Sequence, residues 1–176
     1  MLHRPITQHF TALTFLRDVG LGLLLWVLLT FVVGESRLVP TGSMEPTVRA
    51  GNRIWTDKIT LRFGPLQRGD IVVFDPPVQT ESQYLKRVVG LPGETVEVRD
   101  GKVWVNGEAL DEPYIMDEPA YRYGPVTVPA GYYLVLGDNR NVSHDSHNFG
   151  PIRREWISAR AVYRLWPLAD VARIAP

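Results

Sequence analysis

The apolar positions of this chain follow one pattern before Gly34 and another after it. Val19 to Val33 reads VGLGLLLWVLLTFVV, apolar all round, with no charge until Glu35. Fifteen helical residues rise only ~22 Å, short of the ~30 Å hydrocarbon core of a bilayer. A helix begun at Leu13 gains the missing length if Arg17 and Asp18 sit near the head groups. A buried helix of a soluble domain would show a polar stripe, which this run lacks. A cleavable signal peptide ending near Val32-Val33-Gly34 competes with an uncleaved anchor. The length of the apolar run favours the anchor, and Arg4 and Arg17 favour an N-terminus on the cytoplasmic side.

Beyond Gly34 the apolar positions come in short runs broken by turn residues. Arg53-Ile54-Trp55, Asp70 to Phe74, Gln83 to Leu91, Tyr132 to Leu136 and Ala159 to Trp166 read as strands. Val96 to Arg99, Asp100-Gly101 and Lys102 to Val105 predict a hairpin with a two-residue type I′ turn. That register sets Val98 against Val103 and Val96 against Val105, with Trp104 opposite Glu97 on the other face. Asn106-Gly107 repeats the turn signal and extends the hairpin into a meander. Fifteen glycines and fourteen prolines among 176 residues fit many turns and short strands. The pattern predicts one mostly β domain of short antiparallel strands behind an N-terminal transmembrane helix. Its divisions are a short cytoplasmic segment over residues 1–12, an anchor over 13–34 and a β-rich domain over 35–176.

A net charge of zero removes the electrostatic case for a nucleic-acid partner, and the lack of cysteine removes disulfides and thiolate chemistry. Of four histidines, His3 and His9 precede the apolar run. His144 and His147 flank Asp145 and Ser146 without a third strong ligand nearby, so no metal site is expected. The same shortage weakens a Ser-His-Asp triad, whose base would have to be His144 or His147. No glycine-rich phosphate loop is present.

Two stretches remain as candidates for chemistry. Val39 to Thr47 places Ser43 between Gly42 and Met44, with Pro40 and Pro46 restricting the residues before them. That suits a presented nucleophile, but on the local sequence alone an ordinary surface turn is the favoured reading. Lysine occurs only at 58, 86 and 102, and Lys86 alone lies among strand formers. Desolvation there would favour the neutral amine that a general base requires. A strand-edge lysine pointing into water would have the same sequence.

Four stretches resemble the boxes of type I signal peptidases, membrane-anchored serine proteases with a Ser/Lys dyad. They are Thr41 to Thr47, Arg68 to Phe74, Lys86 to Gly93 and Gly137 to Ser146, in the family's order after an N-terminal apolar segment. The resemblance implies the signal-peptidase fold, with Ser43 as nucleophile and Lys86 as general base. It implies an oxyanion hole from Thr41 and the Ser43 backbone N–H, with Ser143 orienting the Lys86 amine. Arg87, Asp138, Arg140, Asp145 and Ser146 would support the site, and no cofactor is called for. The partners implied are signal peptides of secretory preproteins, lying extended between the strand before Pro40 and the segment Gln83 to Leu85, and the lipid bilayer. Met44 and exposed aromatics near the site would rest on the lipid, the alternative for them being plain core packing. The setting implied is a single-pass protein of the plasma membrane with its catalytic domain outside the cytoplasm; a thylakoid membrane would give the same pattern.

Two positions depart from the family. His147 stands where many members carry an arginine paired with the residue at Asp145, and Glu94 replaces an aspartate. Asp111 to Pro129 reads as a modest insertion. The rivals are a repressor-type Ser/Lys autoprotease, which would need a DNA-binding domain or cleavable linker, and a tethered domain that only binds export partners.

Overall fold

In the computed structural model, the structure describes residues 12–174 apart from Gln79 and Glu81; the side chains of residues 28–32 and of Thr60 are also left undescribed. The expected cytoplasmic segment thus lies outside the described residues, Ala12 excepted. The first helix, α1, spans Ala12–Val32. Large apolar side chains along it, Leu13, Leu21 and Trp26 among them, are exposed. Among the described residues, no helix is long and apolar enough to cross a membrane.

The chain then forms β1 (Gly34–Leu38), β2 (Arg53–Asp57), the short α2 (Ile59–Phe63), β3 (Ile71–Phe74) and β4 (Tyr84–Gly90). A meander follows of β5 (Thr95–Arg99), β6 (Lys102–Val105), β7 (Glu108–Ala109) and β8 (Tyr123–Thr127). The last elements are β9 (Tyr132–Leu136), α3 (Ser146–Phe149), β10 (Ile152–Arg153), β11 (Ile157–Trp166) and β12 (Ala172–Arg173). All the described pairings are antiparallel. The large sheet runs β1-β2-β11-β3-β4-β9-β10, with β12 on β11, and the small sheet runs β7-β6-β5-β8.

The hairpin adopts the register its sequence predicts: Val96 faces Val105, Glu97 faces Trp104 and Val98 faces Val103. Asp100 and Gly101 have φ of 52° and 72°, and Asn106 and Gly107 have 52° and 85°. Both turns therefore sit in the left-handed region that Asp-Gly and Asn-Gly tolerate best. The valines of the hairpin pack on Val89, Leu134 and Leu136, joining the small sheet to β4 and β9. Gly90 makes that join possible, because a Cβ there would lie 2.6 Å from Val96 Cγ2. A second cluster holds Val72, Phe74, Val88 and Val135 under α2, and a third holds Val39, Met44, Val48, Ile54 and Ile71. Burial of each such side chain is worth roughly 1.5–3 kcal/mol.

The third cluster corrects one expectation. Met44 does not rest on a lipid surface; it is fully buried. The turn after Gly42 directs it inward onto Val39 and Ile54, so Met44 anchors the Ser43 turn to the sheet.

Candidate active site

The chain reaches Ser43 through a loop pinned at both ends. Val39 N–H donates to Asn52 O at 2.9 Å, Gly51 N–H donates to Val39 O at 2.8 Å, and Glu45 N–H donates to Gly42 O at 3.1 Å. Asn139 holds the same turn from across the molecule, its N–H on Ser43 O at 3.2 Å and its Nδ2 on Gly42 O at 3.3 Å.

Lys86 arrives from the middle of β4, opposite Val72 of β3. Its side chain is 4% exposed. Nζ donates to Ser43 Oγ at 2.7 Å and to Leu85 O at 3.0 Å. Thr41 Oγ1 lies 3.5 Å from Ser43 Oγ. Burial lowers the Lys86 pKa from 10.5 to about 8, against the opposing pull of the Asp145 and Asp138 carboxylates. Ser43 and Lys86, 43 positions apart in sequence, are thus in direct contact. Ser43 Oγ bonds to Lys86, while His147 Nδ1 is bonded to Asp145 and the His144 ring packs on Tyr84 and Phe149.

The loop after β9 closes over this pair. Ser143 is buried, and its Oγ has no hydrogen-bond partner among the described residues. It lies against Gly137, where a Cβ would come within 2.2 Å of Ser143 Oγ and 2.5 Å of Ser43 O. Gly137 is therefore the point at which the serine turn and the Ser143 loop meet. Asp145 Oδ2 accepts from Gly137 N–H at 2.8 Å, and Ser146 Oγ accepts from Val135 N–H at 3.0 Å. Asp145 also caps α3 in a capping box completed by Asn148. His147 Nδ1 contacts Asp145 Oδ1 at 2.8 Å, so the contact an arginine would supply is made by a ring that can donate it even when neutral.

Below the loop, Arg87 and Asp138 form a buried pair with two bonds of 2.8 Å, their side chains 1% and 0% exposed. Arg87 Nη1 also donates to Gly69 O, and Thr47 Oγ1 donates to Asp138 Oδ2 at 2.5 Å. Arg140 grips Glu112 with two bonds of 2.9 and 2.7 Å. Glu112 and Tyr114 escaped the sequence reading because Asp111 to Pro129 looked like an insertion; Pro113 between two large polar side chains was the available signal. Glu94 accepts from Leu91 N–H at 2.7 Å and from Arg68, closing the Pro92-Gly93 turn.

A cleft of about 1060 Å³ opens in front of Ser43 and Lys86. One wall is β1, an edge strand of the large sheet, and the other is the start of β4. β9 pairs with β4 only from Arg87 onward, so one side of Tyr84, Leu85 and Lys86 is free. Two unpaired strand edges facing one cleft suit an extended peptide. A cation-accessible cluster is not evident: among the described residues, no three His, Asp or Glu side chains are placed to hold a metal ion.

A buried lysine amine bonded to a serine hydroxyl, at the head of a peptide-sized cleft, is the arrangement of a nucleophile beside its base. Residues 12–166 match the family described as signal peptidase, peptidase S26, and the chain belongs to that family. A signal peptidase I of Leptolyngbya laminosa is 43% identical over 168 residues, covering 92% of this chain and 83% of the relative. A probable signal peptidase I-2 of Synechocystis is 48% identical over 144 residues, 79% of this chain and 66% of the relative. A crystal structure of a signal peptidase I from Enterococcus faecalis V583 aligns with a TM-score of 0.46 at 34% identity, covering 55% of this chain and 96% of that one.

Proposed function

We propose that this protein is a signal peptidase, a serine endopeptidase that removes N-terminal signal peptides from exported preproteins. Ser43 Oγ attacks the scissile carbonyl while the neutral Lys86 amine takes its proton. Ser43 N–H and the Thr41 hydroxyl hold the oxyanion, and the Lys86 ammonium then protonates the departing amine. Water, deprotonated by the same amine, releases the signal peptide from Ser43 with a free carboxylate. Ser143, buried and with its hydroxyl unpaired among the described residues, is assigned the bond that orients the Lys86 amine. The substrate lies between β1 and the start of β4, with small side chains before the cut resting on Val39, Ile54 and Leu85.

The observation that carries this reading is the 2.7 Å bond from the buried Lys86 amine to Ser43. Support for a membrane setting comes from α1, whose exposed large apolar side chains need a non-aqueous surround. Counted together with the largely apolar residues 28–32, whose side chains lie outside the described ones, α1 has the length of a single-pass anchor that keeps the β domain on the extracytoplasmic face. The test is cleavage of a preprotein by the purified protein beside its Ser43→Ala and Lys86→Ala variants. Both variants should be inactive, and full activity in either would end the dyad assignment.

A further inference from the structure

The segment between β7 and β8 does more than connect two strands. It leaves the small sheet and runs as a strap across the loop that carries Asp138, Ser143 and Asp145. Its first hold is Glu112, whose carboxylate takes both bonds from Arg140; the two side chains are 4% and 0% exposed. Arg140 in turn donates to Gly137 O at 3.0 Å. The second hold is Tyr114, whose hydroxyl donates to Glu112 Oε1 at 2.8 Å and whose ring lies 3.8 Å from the Arg87 guanidinium. Further holds follow at Met116 N–H on Asp138 O, at Ala120 N–H on Asn141 Oδ1 and at Tyr121 stacked on His147.

These contacts converge on the surroundings of Lys86. Arg87 is its neighbour on β4 and is clamped between the Tyr114 ring and Asp138. Asp138 and Asp145 are the carboxylates whose charge reaches Lys86. Arg37, Asp75 and His144 line the same cleft from its other walls. We propose that Glu112 and Tyr114 are positioning residues for the Ser43–Lys86 pair, holding the Gly137 to Asp145 loop down so that the amine stays dry and aimed at Ser43. Neither touches the reacting atoms. Loosening the strap admits water to Lys86 and frees Asp138 from Arg87, and both changes favour the charged amine.

This inference rests on the peptidase reading, and its test separates the two. Glu112→Gln and Tyr114→Leu are compared with wild type in detergent, with preprotein cleavage normalised to the folded fraction. Each should lower kcat by about tenfold or more with little change in KM, and should move the rising limb of the pH profile to higher pH. Tyr114→Phe keeps the ring on Arg87 and should keep the limb near its wild-type position. Should Glu112→Gln fail to fold, the two Tyr114 variants decide. Amine labelling of Lys86 against pH, in a Ser43→Ala background, reads the same shift without any proteolysis. Wild-type kcat and an unmoved limb in the folded variants, or an unmoved labelling curve, would overturn the strap's role even if thermal stability falls. Failure of the wild type to cut any preprotein would instead strike the peptidase reading and leave the labelling result standing.

Discussion

Replacing Lys86 with methionine should make the folded protein more stable at neutral pH while abolishing its activity. The side chain is 4% exposed, and burial lowers its pKa from 10.5 to about 8. Holding the charged amine in that site below pH 8 therefore costs about 3 kcal/mol, at ~1.36 kcal/mol per pKa unit. Methionine fills a similar volume without the charge, but it forfeits the bonds to Ser43 Oγ and Leu85 O. At roughly 0.5–1.5 kcal/mol for each bond, the net gain at pH 7 is about 1–2 kcal/mol. The pH dependence is more diagnostic than the net value. Below pH 8 the lysine is protonated in both folded and unfolded chains, so its penalty is constant. Between pH 8 and 10.5 the unfolded chain binds more protons than the folded one, so wild type gains stability as pH rises. The advantage of Lys86→Met should thus shrink by about 2 kcal/mol between pH 8 and 9.5. Denaturant unfolding of both proteins in the same detergent, at several pH values, measures it. A variant less stable than wild type at pH 7, or a difference that does not change with pH, would refute the reasoning.

Other substitutions probe the neighbours. Gly137→Ala puts a Cβ 2.2–2.5 Å from Ser143 and Ser43 O and should destabilise the fold by about 1–3 kcal/mol, with loss of cleavage; unchanged melting and activity would show that the two loops can part freely. Thr41→Val should lower kcat by ~2.7–4 kcal/mol of transition-state stabilisation, a loss that Thr41→Ser restores, as single-turnover cleavage would reveal. Asp138→Ala removes the carboxylate that neutralises the buried Arg87 guanidinium and should cost about 3–5 kcal/mol in denaturant unfolding.

The hairpin from Thr95 to Val105 could be read residue by residue, because its turn chemistry and its valine alternation are both local. β1 could not be read from its own residues, and only the resemblance called for a strand before Pro40: Gly34-Glu35-Ser36-Arg37-Leu38 has no β-branched residue, and it becomes a strand by pairing with β2 over its whole length. α3 was hidden in a loop of polar residues, although Asp145 and Asn148 carry a capping-box spacing. Met44 misled because a single apolar residue between serine and glutamate carries no period; only the turn that folds it onto Ile54 makes it core. Ser43 and Lys86 were found by resemblance. Their meeting depends on the β3–β4 register and on the Asn139 clamp, long-range features that no local pattern encodes. Glu112 and Tyr114 were missed for the same reason, since their partners lie 28 residues later at Arg140 and 27 residues earlier at Arg87.

Ser43 is activated by the neutral fraction of a lysine whose pKa burial lowers to about 8, and the pH profile of preprotein cleavage tests this most directly. kcat/KM should rise with pH through a single limb near 8, the value at which the folded Lys86 loses its proton. A limb near 10.5, or cleavage independent of pH between 6 and 9, would contradict it.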